Sequence, residues 1–142
     1  MIVYPDTSFL FSCYLSDQHS LDADRRLKVQ PLVLVTPFHR AELANAIFQR
    51  AFRGKISEAD AQVTYADFEQ DCETGVWVIT QAPDSTYSTC ANLAKRHVPR
   101  LGVRTLDSLH VACALELKAQ RFWTFDERQA RLAEAVGLNT NP

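Results

Sequence analysis

Short runs of β-branched and aromatic residues alternate along this chain with stretches whose apolar residues recur at helical spacing, and this alternation restricts the fold more than any other feature. It argues for an α/β architecture, a mostly parallel sheet covered by helices, rather than segregated layers or a helical bundle. Strands are expected at residues 1–4, 32–35, 76–79 and 121–125, with 138–140 as a short edge strand, giving a twisted sheet of about five strands. Pro5 can close the first strand because a missing N–H matters least at a strand end. Helices are expected over 9–15 and 20–29 as a short hairpin, from Pro37 to Gly54, and over 58–72, 84–97, 106–119 and 127–136. Thr36 followed by Pro37 reads as a cap with proline at the first helical position, and Ser57 with Asp60 as a capping box with the shorter acid. The 142 residues show no repeat, linker or composition break, so 1–142 is read as a single domain.

Composition removes several classes of function. With 46% hydrophobic and 23% charged residues the chain is ordinary globular protein. Its longest clean apolar runs, such as 32–35, fall far short of the ~20 residues needed to cross a bilayer. The N-terminal stretch lacks a basic start and is broken by Pro5 and Asp6, so it is not read as a secretory signal. The four cysteines form no C-x-x-C pair and lie in apolar surroundings, as reduced core cysteines of a cytoplasmic protein do. Only four glycines are present, too far apart for a dinucleotide fingerprint, a phosphate-cradling loop or a nucleophile elbow. Any phosphate must therefore be handled by side chains and metal.

In open parallel sheets ligands bind beyond the carboxyl ends of the strands, which singles out acids placed there. Asp6 directly follows the first strand and Asp126 the fourth. Glu42 lies about one helical turn past the second strand, and Asp107 opens the helix leading into the fourth. At ~5 Å and an effective dielectric of ~20, each pair of these charges would repel by about 3 kcal/mol. A bound divalent cation removes the conflict, and all-oxygen ligands suit Mg²⁺ or Mn²⁺ rather than zinc.

At these residues the sequence resembles the PIN-domain ribonucleases, in particular the VapC-like toxins of prokaryotic toxin–antitoxin pairs. The resemblance is carried by IVYPDTSFL from Ile2, the acid in HRAELANAI from His39, RTLDSLHVACALEL from Arg104, and FWTFDERQARLAEAVGL from Phe122. It implies a PIN-like fold and a Mg²⁺- or Mn²⁺-dependent endoribonuclease that leaves a 5′-phosphate product. Asp6, Glu42, Asp107 and Asp126 carry over as the catalytic and metal-binding acids. Ser8, where many members have Asn, and Thr124 match polar positions beside them. A cognate VapB-like antitoxin and a homodimer are implied in the same way.

Setting those four acids aside leaves fewer acidic than basic residues, so the small net negative charge belongs to the site. Lys95, Arg96, Arg100 and Arg104 crowd into a stretch without acids that leads to Asp107, and Arg40 stands beside Glu42. These are the candidate contacts to an RNA backbone. His110, three residues after Asp107 but flanked by apolar residues, is read as a packed, hydrogen-bonded histidine; His19, His39 and His97 as surface residues; Trp77 and Trp123 as core or interface. A haloacid-dehalogenase phosphatase would need an acid where Ser8 stands, and a response-regulator receiver a phosphoacceptor after the third strand, where Thr80-Gln81 follow. The remaining rivals are a catalytically inactive PIN-like module that binds RNA or protein, and a housekeeping ribonuclease without an antitoxin.

Overall fold

The computed structural model describes all 142 residues. Four strands, β1 (Ile2–Pro5), β2 (Leu32–Val35), β3 (Val78–Ile79) and β4 (Arg121–Trp123), form a wholly parallel sheet in the order β3-β2-β1-β4. Seven helices cover it: α1 (Thr7–Tyr14), α2 (Ser20–Leu27), α3 (Pro37–Phe52), α4 (Glu58–Thr74), α5 (Thr86–Leu101), α6 (Thr105–Glu116) and α7 (Glu127–Ala135). Successive strand side chains point to opposite faces and so feed two separate cores. Val3, Val33, Val35 and Trp123 pack with Phe9, Leu43, Ile47 and Phe68 under α1 to α4. Tyr4, Leu34 and Phe122 pack with Val111, Cys113 and Leu132 under α5 to α7.

The order of the strands positions the site. The chain moves outward from β1 through β2 to β3, then returns to lay β4 against the other side of β1. The reversal opens a crevice at the carboxyl ends of β1 and β4, which is where Asp6 and Asp126 emerge. The Asp6 N–H donates to the carbonyl of Trp123 at 2.8 Å, holding the crevice floor together.

The sheet differs from the expected five strands. Residues 138–140 contribute only a single bridge, Arg121 to Asn139, because one N–H, from Phe122, reaches the Asn139 carbonyl before the chain ends its run alongside β4. The third strand is cut to Val78–Ile79, since the N–H groups of Val76 and Trp77 instead donate to the Asp71 carbonyl and finish α4. The fourth stops at Trp123, where Thr124 turns to accept the Asp126 N–H. Helix α5 runs past His97 to Leu101 with Pro99 inside its last turn, then closes on Gly102 at φ 62°, whose N–H donates to the Val98 carbonyl. Proline there removes one bond near an end whose carbonyls are already short of partners. His39, expected at the surface, is fully buried.

Candidate active site at the carboxyl edge of the sheet

The four acids emerge from four different elements at one rim. Asp6 is the N-cap of α1, accepting the Phe9 N–H at 2.9 Å, and Asp126 is the N-cap of α7, accepting the Gln129 N–H at 2.8 Å. Glu42 stands in the second turn of α3 and Asp107 in the first turn of α6. Capping alone would account for an Asp at positions 6 and 126. Capping does not account for what surrounds them.

Asp6 is buried, and both of its oxygens are engaged. The Ser8 hydroxyl lies 2.7 and 2.8 Å from them, and Thr124 Oγ1 lies 2.8 Å from Oδ2. Burial raises its carboxyl above the usual range, although these hydrogen bonds and His110 pull the other way. Asp107 is also raised, by burial first and then by repulsion from Asp126, with Arg104 opposing. Its carboxylate is 3.5 Å from Arg104 Nε. Glu42 behaves differently: burial would raise it, but hydrogen bonds from His110 and Thr7 and the charge of Arg104 outweigh that and hold it below the ordinary value.

Glu42 is the end of a buried relay. Tyr4, its phenol kept protonated by burial, donates from its hydroxyl to His110 Nδ1 at 2.9 Å, and His110 Nε2–H donates to Glu42 Oε1. Thr7 adds a second donor to the same oxygen at 2.7 Å. His110 is thus packed and hydrogen-bonded, as the apolar flanks suggested, with one of the four acids as its partner. His39 makes a parallel brace. Its Nδ1 accepts the Thr36 N–H at 2.9 Å, so Nε2 carries the proton and donates to the Pro5 carbonyl at 2.8 Å. The start of α3, which carries Glu42, is thereby tied to the residue before Asp6.

Gln129, also fully buried, was not singled out by its sequence. Its Nε2 donates to the Asp107 carbonyl at 3.2 Å while its Oε1 lies 2.8 Å from Thr124 Oγ1, so it joins α6, α7 and the end of β4 beneath the acids. The available signal was its place three residues after the Asp126 cap, where a Gln usually reaches back to the cap N–H. Here Thr124 has taken that N–H at 3.0 Å, which frees the Gln129 side chain to point inward.

Glu42 Oε2, Asp107 Oδ1 and Asp126 Oδ2 make no hydrogen bond within the protein. Oxygen donors of this kind fit a hard divalent cation such as Mg²⁺ or Mn²⁺, whereas burial keeps the Cys113 thiol protonated and unsuited to zinc. In the rotamers present, no three His, Cys, Asp or Glu side chains are grouped closely enough to hold an ion. Asp107 and Asp126 share a groove of about 360 Å³ with Gly102, Arg104 and Arg128, and Glu42 and Asp107 share a second of about 380 Å³ with Arg104. Arg104 therefore reaches the acids. Lys95, Arg96 and Arg100 line neither groove, and Arg100 donates to the Arg96 carbonyl of its own helix at 2.8 Å. Arg40 turns toward α4, where its charge lies beside Cys72.

The parallel sheet in the order β3-β2-β1-β4, with a core on each face, defines an α/β domain. The chain belongs to the PIN domain family, whose family model matches residues 3–135. Its fold is similar to that of VapC20 from Mycobacterium tuberculosis, a sarcin-ricin loop cleaving toxin, at 19% identity and TM-score 0.71 over 99% of both chains. It is also similar to FitAcB from Neisseria gonorrhoeae, at 16% identity and TM-score 0.74, covering 100% of this chain and 98% of that one. VapBC2 from Rickettsia felis, bound to a DNA fragment from the promoter, matches at 14% identity and TM-score 0.68, covering 99% and 98%. No individual curated sequence matches.

Proposed function

We propose that this chain is a Mg²⁺- or Mn²⁺-dependent endoribonuclease and the toxin of a toxin–antitoxin pair. The observation that carries the reading is the delivery of Asp6, Glu42, Asp107 and Asp126 to the crevice where the strand order reverses, each braced by a buried polar partner or a helix cap. Asp6 and Asp107 serve as central ligands, Asp126 as a ligand or water-mediated contact, and Glu42 as a ligand or as the group orienting the attacking water. The ion, when bound, lowers the pKa of a coordinated water and neutralises charge on the scissile phosphate. Ser8, Thr124 and Gln129 fix the Asp6 carboxylate and its neighbours, and the His110–Thr7 pair fixes one oxygen of Glu42 and leaves the other free. Arg104 stands close enough to the acids to hold an RNA phosphate beside them. A cytoplasmic location, a homodimer and a cognate antitoxin that blocks the crevice with a basic side chain belong to the same reading; no helix is long and apolar enough to cross a membrane.

The test is cleavage of a labelled RNA pool with Mg²⁺, Mn²⁺ or EDTA, wild type beside Asp6→Asn and Asp107→Asn, followed by mapping of the new ends. Metal-dependent cuts lost in both variants are expected. Absence of cleavage by well-folded wild type would move the protein to the inactive RNA- or protein-binding module. Harmless expression of an active enzyme, with no adjacent reading frame of antitoxin type, would favour the housekeeping ribonuclease.

A further inference from the structure

A third groove, about 470 Å³ in volume, begins at Thr7 and Ser8 beside the acids and runs between α1 and the C-terminal half of α3. Its α3 wall is made by Ala46, Gln49, Arg50 and Arg53, spaced as one helical face. That face also contains Glu42, so a single stripe of α3 leads from the acid to two arginines over about 12–16 Å. Neither arginine forms an ion pair. Arg50 Nε is buried without an acceptor, and its guanidinium is held over the Phe11 ring at 5.6 Å, so its orientation is set in advance. The acid in the groove, Asp17, is already committed: its oxygens accept from Ser12 at 2.7 Å, from the His19 N–H at 2.7 Å and from Ser20 at 3.3 Å. His19 on the opposite wall stacks on Phe125 at 4.3 Å and 6°, joining the groove to the turn between Thr124 and Asp126.

Cations near a helix C-terminus stabilise the helix dipole, and Arg50 and Arg53 do lie at that end of α3. A dipole role does not require a stripe continuous with Glu42 or a buried N–H left without an acceptor. We propose that this groove carries the phosphodiester backbone of single-stranded RNA on one flank of the scissile bond, with Arg50 and Arg53 contacting phosphates. The Arg104–Arg128 groove takes the strand on the other flank. This rests on the ribonuclease reading, and it places substrate binding on α3 and α1 rather than on the exposed basic stretch of α5.

The test is fluorescence anisotropy of the full chain with a labelled single-stranded oligoribonucleotide in EDTA, titrated with salt. Wild type is compared with Arg50→Gln/Arg53→Gln, with Arg53→Gln alone, and with Arg131→Gln on α7 as a control outside the groove. The double variant is expected to weaken binding across oligonucleotide sequences and to make the slope of log K against log salt shallower by about 1.4, or ~0.7 for each lost contact to a single strand. Arg53→Gln, exposed and free of packing duties, is expected to show half that change, and it keeps the test valid if the double variant folds poorly. Unchanged slopes, or an equal change in Arg131→Gln, would overturn the groove assignment while leaving intact any metal-dependent cleavage by wild type. Wild type that neither binds nor cleaves RNA would overturn the ribonuclease reading together with it.

Discussion

At the scale of single residues, the buried polar side chains beneath the acids couple stability to function. His110 satisfies both the Tyr4 hydroxyl and Glu42 Oε1. His110→Leu would strand two polar groups and is expected to cost about 1–3 kcal/mol, whereas Tyr4→Phe, which removes one donor, is expected to cost about 1 kcal/mol, both read from urea unfolding. The leucine variant should also weaken Mn²⁺ binding, because Glu42 loses the donor that orients it. His39 sets a pH dependence. Burial holds its folded pKa well below the usual histidine value. Below pH ~6.5 the unfolded chain therefore takes up a proton that the folded chain does not. Stability is fully present above that pH and falls as the medium becomes more acid, and His39→Gln should flatten the decline between pH 7.5 and 5 in urea midpoints. Asp6 and Asp107 act with the opposite sign: their raised folded pKa values make the folded state bind protons first, so their contribution grows as the pH falls toward the ordinary carboxylate range.

At the scale of elements, Asp126 performs two tasks that one substitution separates. Its Oδ1 caps α7 while Oδ2 has no protein partner. Asn caps a helix about as well as Asp does, so Asp126→Asn is expected to keep stability within a few tenths of a kcal/mol while losing RNA cleavage. Asp126→Ala should lose cleavage and also about 1 kcal/mol of stability. A large loss of stability in the Asn variant would show that the charge, and not the cap, supports α7. The helices were legible where local chemistry dominates: Thr36-Pro37 opening α3, Ser57 accepting the Asp60 N–H, and Gly75 and Gly102 adopting positive φ after α4 and α5. Strand ends were not, because the same N–H can serve a ladder or a helix terminus. Val76 and Trp77 were spent on the Asp71 carbonyl, and nothing near them in sequence announces that choice.

At the scale of the whole molecule, the two cores clamp a narrow sheet whose carboxyl edge gathers like charges. Trp123, fully buried and packed against Phe9 at 5.1 Å, joins β4 to the α1 side. Trp123→Ala is expected to cost about 3–5 kcal/mol in chemical denaturation. Burial and repulsion from Asp126 raise the Asp107 carboxyl, and an ion that binds only the folded state stabilises it. Mn²⁺ at about a hundred times its Kd should therefore stabilise the fold by about 2.7 kcal/mol, seen as a rise in Tm that EDTA reverses and that Asp6→Asn greatly reduces. Equal shifts in wild type and variant would indicate binding elsewhere.

The α/β class and the candidate acids Asp6, Glu42, Asp107 and Asp126 follow from the sequence by itself, because alternating strand and helix periods dictate layers and each acid sits at a fixed step from an element end. The same holds for the loss of catalysis by a glycine loop or a nucleophile elbow, for which the glycines are wrongly spaced. Only the tertiary structure decided that β4 returns beside β1 and that His39 is a buried brace. It also turned Gln129 inward, paired His110 with Glu42, and set Arg50 and Arg53 in a groove that begins at Thr7 and Ser8 while Arg40 turned away. Those outcomes depend on contacts between residues far apart in the chain, where burial and hydrogen-bond competition, rather than local preference, select the partner.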